Sequence, residues 1–168
     1  MITACMPFIF PIMVNNGYQE AYNYIPILML GTIFNIIVGL IGAIYIALKK
    51  TKEIATTSIL SGIINFVINI LLIRIIGLYA AAISTAVAFG AMVIYRYFDV
   101  KKYVDLKIKT STMIATCIIL VISFMLYYVK SLPLNILNVI ITFLFFVIVN
   151  FSVVKSLVSK IKSIILRK

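Results

Sequence analysis

The stretch that decides the fold is IATTSILSGIINFVINILLI, residues 54–73, an apolar run without a single charge. A helix rises 1.5 Å per residue, so about 20 mostly apolar residues cover the roughly 30 Å hydrocarbon core of a bilayer. In lipid every backbone polar group must be satisfied within the chain, which leaves helices or a closed barrel. A barrel strand shows apolar–polar alternation over about ten residues. This run does not alternate, so it reads as a transmembrane helix.

Outward from this run the same pattern recurs over residues 1–14, 24–48, 79–95, 111–129 and 136–154. The sequence therefore predicts an all-α polytopic membrane protein: six transmembrane helices in a single helical domain, 1–154, and a basic tail, 155–168. Hydrophobic residues are 64% of the chain and charged residues 11%. A soluble domain is about half apolar and about a quarter charged, so lipid is the solvent for most of this chain. The first span is short, carries Pro7 and Pro11, and starts at once in apolar sequence. No basic segment precedes it as in a cleavable signal peptide, and such a beginning is unusual for a natural start.

Charge sets the expected orientation. One connection holds Lys49, Lys50 and Lys52; another holds Arg96, Lys101, Lys102, Lys107 and Lys109; the tail holds Lys155, Lys160, Lys162, Arg167 and Lys168. These are thirteen of the 15 basic residues, and the opposite face has only Arg74 and Lys130. The positive-inside rule puts the thirteen in the cytoplasm together with both termini. The net charge of +11 then reflects topology and attraction to anionic lipid head groups, and no nucleic-acid partner is expected. Tyr22, Tyr24, Tyr95, Tyr97, Tyr103, Tyr127 and Tyr128 fall near span ends, as interfacial aromatics do.

Residue types that are missing narrow the chemistry. There is no histidine, and the four acids, Glu20, Glu53, Asp99 and Asp105, lie in loops or at span ends. Most catalysis needs a positioned acid, base or nucleophile. Cys5 and Cys117 are isolated in apolar spans, where cysteine behaves as a small hydrophobe. No glycine-rich phosphate loop with its lysine is present. Neither enzyme activity nor a metal or other cofactor is expected.

The informative residues lie inside the spans. Ser58, Gly62, Asn65 and Asn69 follow steps of four, three and four in the third span, and Gly31, Asn35, Gly39 and Gly42 steps of four, four and three in the second. Ala81, Ser84, Thr85 and Ala88 form a small, polar stripe in the fourth. Such spacing puts each set on one helix face, expected to turn away from lipid. Two readings stay open. The faces can be close-packed seams, or they can line a hydrophilic path for polar cargo, with Ser58, Asn35, Asn65, Asn69, Ser84 and Thr85 as its candidate residues. The fifth and sixth spans are bulkier, with Phe124, Phe143, Phe145, Phe146 and Phe151 and only scattered Thr112, Thr116, Ser123 and Asn138. They read as lipid-facing scaffold.

Gly17-Tyr18-Gln19-Glu20-Ala21, followed by Ile27-Leu28, resembles the loop-and-helix signature of polysaccharide flippases. These are the Wzx-type exporters of the multidrug/oligosaccharidyl-lipid/polysaccharide superfamily. Asn65, Asn69, Leu72, Ile73, Gly77, Ala81, Ala82 and Thr85 follow the order of that family's motif, with Ala80 where it often has a second glycine. The resemblance covers about residues 17–102. It implies transport of lipid-linked oligosaccharide or polysaccharide repeat units across the bacterial cytoplasmic membrane by two helical lobes in alternating access. Complete members have twelve to fourteen spans, so a six-span chain looks like the C-terminal part of such a MATE-like flippase. The implied partners are the lipid bilayer, a polyprenyl-linked glycan, and either the missing N-terminal portion or a second copy of the chain. Cargo of that kind carries a pyrophosphate, for which Arg74 is a candidate cation; Arg74 reads equally as an anchor that snorkels to water. The rival functions are a non-transporting membrane scaffold subunit and a membrane glycan polymerase.

Overall fold

The computed structural model describes residues 2–15, 19–106, 110–129, 131–151 and 155–156. Among these it is all-helical: α1 Ile2–Met13, α2 Ala21–Ala47, α3 Thr51–Ile76, α4 Tyr79–Val100, α5 Thr110–Tyr128 and α6 Leu132–Val149. The helices α2 to α6 are each long and apolar enough to cross a membrane, so the chain is a multi-pass membrane protein. The first expected span falls short. α1 has 12 residues, about 18 Å at 1.5 Å per residue, and does not by itself cover a core of about 30 Å.

Several helix ends lie beyond the apolar windows, and three of them pass a charged or imino residue. α3 runs on through Arg74 to Ile76 and stops at Gly77, whose φ of 57° glycine adopts readily. α4 runs past Tyr95 to Val100, carrying Arg96 and Asp99 inside the helix. α6 begins at Leu132, with Pro133 in its first turn, where a missing N–H costs nothing. In each case a charged or imino residue ends an apolar run without ending the backbone hydrogen bonding. α2 closes at Leu48, after which Lys49 takes a positive φ of 57° and the Lys50 N–H donates back to the Tyr45 carbonyl at 2.8 Å.

The span from 1 to 154, read as one helical domain, contains two compact units: α2, α3 and α4 in one, α1, α5 and α6 in the other. In the first, α4 packs on both α2 and α3. Small side chains permit this. Ala82 and Ala86 lie on one side of α4 and Ala80, Ser84 and Ala88 on another, all buried. A Cβ on Gly31 of α2 would lie 3.5 Å from the Ala86 backbone, so the two helices meet nearly backbone to backbone. Tyr24 and Tyr79 pair edge to face at 4.5 Å at one end of this contact. Ile41, Tyr45 and Val100 form an apolar core at the other.

Candidate functional site

The polar interior of the α2–α4 unit has two clusters. The first joins α3 to α4. The Asn65 amide donates to Thr85 Oγ1 at 3.3 Å, and Ser84 Oγ donates to Asn65 Oδ1 at 3.0 Å. One turn away Ser61 Oγ donates to the Ala88 carbonyl at 3.2 Å. Three of the candidate path residues, Asn65, Ser84 and Thr85, thus meet at one point. Their hydrogen bonds are made to one another and to the α4 backbone.

The second cluster surrounds Arg96, which is 2% exposed. Its Nε donates to Thr57 Oγ1 at 2.9 Å, Nη1 to the Val38 carbonyl at 3.2 Å, and Nη2 to the Ile54 carbonyl and to Ser58 Oγ, both at 3.1 Å. Thr57 passes its own proton on to the Glu53 carbonyl at 2.6 Å. One side chain of α4 therefore ties down α2 and α3 together. No carboxylate pairs with Arg96 among the described residues. Asp99, one turn further on, instead accepts from Tyr45 Oη at 2.8 Å and from Lys102 Nζ at 3.1 Å. The positive charge is met by oxygen dipoles and by the Tyr45 ring, whose centroid lies 6.0 Å from Arg96 Cζ, at the C-terminal end of α4, where the helix dipole favours a cation.

Arg96 corrects the sequence reading, which assigns it to a cytoplasmic connection. Because α4 lies against both α2 and α3, Ala80, Ser84, Ala88, Met92, Arg96 and Val100 all stay buried although steps of four wrap them round the helix.

The other candidates lie elsewhere. Ser58 is exposed apart from its bond to Arg96. Asn35 is exposed and Asn69 half-exposed, and neither has a hydrogen-bond partner among the described residues. Arg74 is exposed in the last turn of α3. Within the chain, Asn35 and Asn69 therefore do not join Asn65 in the contacts between helices. The reason is geometric: each step of four turns about 40° around a helix. The contact face of α2 is centred on Gly31, Val38, Gly42 and Tyr45, all buried, and that of α3 on Thr57 and Ser61. Asn35, Gly39, Gly62 and Asn69 have rotated off those faces.

The α5–α6 pair is not plain scaffold either. Asn138 Nδ2 donates to the Ser123 carbonyl at 3.2 Å, Thr142 Oγ1 donates to the Asn138 carbonyl at 2.8 Å, and Ser123, Asn135, Asn138 and Thr142 are all buried. No family model, no curated protein and no solved structure matches the chain.

Proposed function

We propose that the chain forms part of a membrane transporter, a flippase that moves lipid-linked oligosaccharide or polysaccharide repeat units across the bacterial cytoplasmic membrane. The observation that carries this reading is the exposure of Asn35 and Asn69 on helices apolar enough to cross a bilayer. An amide without a partner in hydrocarbon costs several kcal/mol, roughly, so such faces belong against protein or water. A face with a polar carboxamide, flanked by Gly39 on α2 and by Gly62 on α3, suits a path for sugar hydroxyls.

The bonded clusters support the same reading in a second way. Alternating access rocks one set of helices against another as nearly rigid bodies. Arg96 and the Asn65 cluster lock α2, α3 and α4 into one such body, while Asn35 and Asn69 stay free to meet cargo. In this reading the basic connections and both termini face the cytoplasm. Arg74 either anchors α3 at the opposite interface or meets the pyrophosphate of a polyprenyl-linked glycan. The remaining wall of the path comes from further helices of the same transporter or from a second copy of the chain. No residue is assigned a catalytic role.

The bonding of Arg96 and Asn65 to protein partners also suits a non-transporting scaffold subunit. Cysteine placed at 35 and 69, in a background with Cys5 and Cys117 replaced by alanine, separates the two. In membrane vesicles the transport reading expects both to react with a hydrophilic thiol reagent. It also expects a polyprenyl-diphosphate oligosaccharide to protect them. Reaction with lipophilic maleimides alone, without protection, contradicts it.

A further inference from the structure

Helices α1, α5 and α6 line a half-open pocket of about 250 Å³ within their own unit, with Phe146 and Val149 exposed at its rim. One water needs roughly 10–15 Å³ of comparable volume, so this space admits a molecule rather than a solvent bridge. The wall is largely apolar, with Phe146 among its residues, yet each helix brings a polar side chain to it: Thr3 from α1, Thr116 and Ser123 from α5, Thr142 from α6, and Asn150 just beyond α6. Among the described residues no charged side chain lines it.

Ser123 is the anomaly. It is 4% exposed, and its Oγ has no hydrogen-bond partner among the described residues. A helical hydroxyl with nothing else to bind returns its proton to a carbonyl one turn back. Thr116 does so to Thr112 at 2.8 Å and Thr142 to Asn138 at 2.8 Å. Ser123 does not, although burying an unpaired hydroxyl among apolar groups is costly. The two threonines, having given away their protons, present only lone pairs to the cavity. Ser123 presents both a proton and lone pairs.

We propose that this cavity binds a neutral polyol of about glycerol size, either free or as the head group of an uncharged lipid. A wall rich in acceptors calls for a ligand rich in donors, and adjacent hydroxyls supply them. An ion has no counter-charge in this wall, and desolvating it uncompensated is prohibitive. The apolar part of the wall accepts the C–H faces of the polyol or the first carbons of an acyl chain.

The test is thermal unfolding of the full chain in a mild detergent, with glycerol, 1-monooctanoylglycerol or octanoate added. The monoacylglycerol raises Tm, and octanoate, with the same chain and a charged head, does not. A matching rise with free glycerol identifies a free polyol as the ligand; a rise with the monoacylglycerol alone identifies a lipid. Ser123→Ala folds normally, because the lost hydroxyl makes no bond, and weakens the response about five- to tenfold, the fold-change of one neutral hydrogen bond. Thr142→Val, which keeps the side-chain volume, weakens it similarly. An equal response to octanoate, no response to either polyol, or a full response in both variants overturns the proposal.

Discussion

Gly42 of α2 and Arg96 of α4 are matched across the helix interface: a Cβ at position 42 would stand 3.4 Å from Arg96 Nη1. Nη1 reaches the Val38 carbonyl one turn before this glycine, at 3.2 Å. The glycine clears the approach to that carbonyl, and the arginine uses it. Alanine fits at ordinary van der Waals contact, so Gly42→Ala should unfold at the wild-type denaturant concentration. Gly42→Leu should displace the guanidinium, and its cost should not add to that of Arg96→Met, since both break the same contact. Full additivity would show that the two residues are uncoupled.

Arg96 itself makes four bonds to two neighbouring helices. Interhelical hydrogen bonds in membranes average about 0.6 kcal/mol, so Arg96→Met should destabilise the protein by about 2 kcal/mol in a micelle unfolding titration. Arg96→Lys should recover little of this, because an ammonium on a flexible stem lacks the planar fork that spans four acceptors. Wild-type stability of Arg96→Lys would mean that charge alone matters at this position.

The Asn65 cluster predicts a coupled pair. Asn65→Ala should cost about 1 kcal/mol, and Ser84→Ala should add almost nothing to it, because each removes the partner of the other. Independent, additive losses in the same unfolding assay would contradict the bonding between them.

How much of this was legible in the sequence depends on what each residue needs from its neighbours. The helices follow from apolar run length, which is local. Their ends at Ile76 and Val100 do not, because hydropathy stops at Arg74 and Arg96 while the backbone ladder continues. Asn65, Ser84 and Thr85 were readable as inward-facing; that Asn35 and Asn69 lie off the contacts within the chain was not, because a stripe counted in steps of four drifts off the contact face of a helix packed on one side. The polar lining of the α1, α5 and α6 cavity was invisible for another reason. Its hydroxyls are widely spaced on three helices and form a set only once those helices are side by side.

Lys102 gives a pH dependence outside the spans. Its hydrogen bond to the Asp99 carboxylate at 3.1 Å holds its pKa above that of an ordinary lysine. The contribution to stability is therefore complete below the unfolded lysine value of about 10.4, and is lost as pH rises through the higher folded value. Lys102 is largely exposed and its effect small. An unfolding series carried through the alkaline range should show a shallow decline for the wild type that Lys102→Gln removes. A decline of the same depth in Lys102→Gln would assign it to another group.

Orientation is testable from either side of the membrane. With Cys5 and Cys117 replaced, Lys101→Cys should react with an impermeant thiol reagent in inverted vesicles and stay unlabelled in intact spheroplasts. Labelling from the outside alone would invert the topology and place the basic connections across the membrane.

The central claim, participation in the transport of lipid-linked glycans, is tested most directly by depleting the protein in the cells that make it. The quantity to measure is the polyprenyl-diphosphate-linked repeat unit held on the cytoplasmic side of the membrane. Depletion should raise this pool and remove glycan from the cell surface. The wild-type gene should restore export, and Asn35→Leu with Asn69→Leu should not, at an equal level of protein in the membrane. An unchanged pool together with normal surface glycan after depletion would contradict the account.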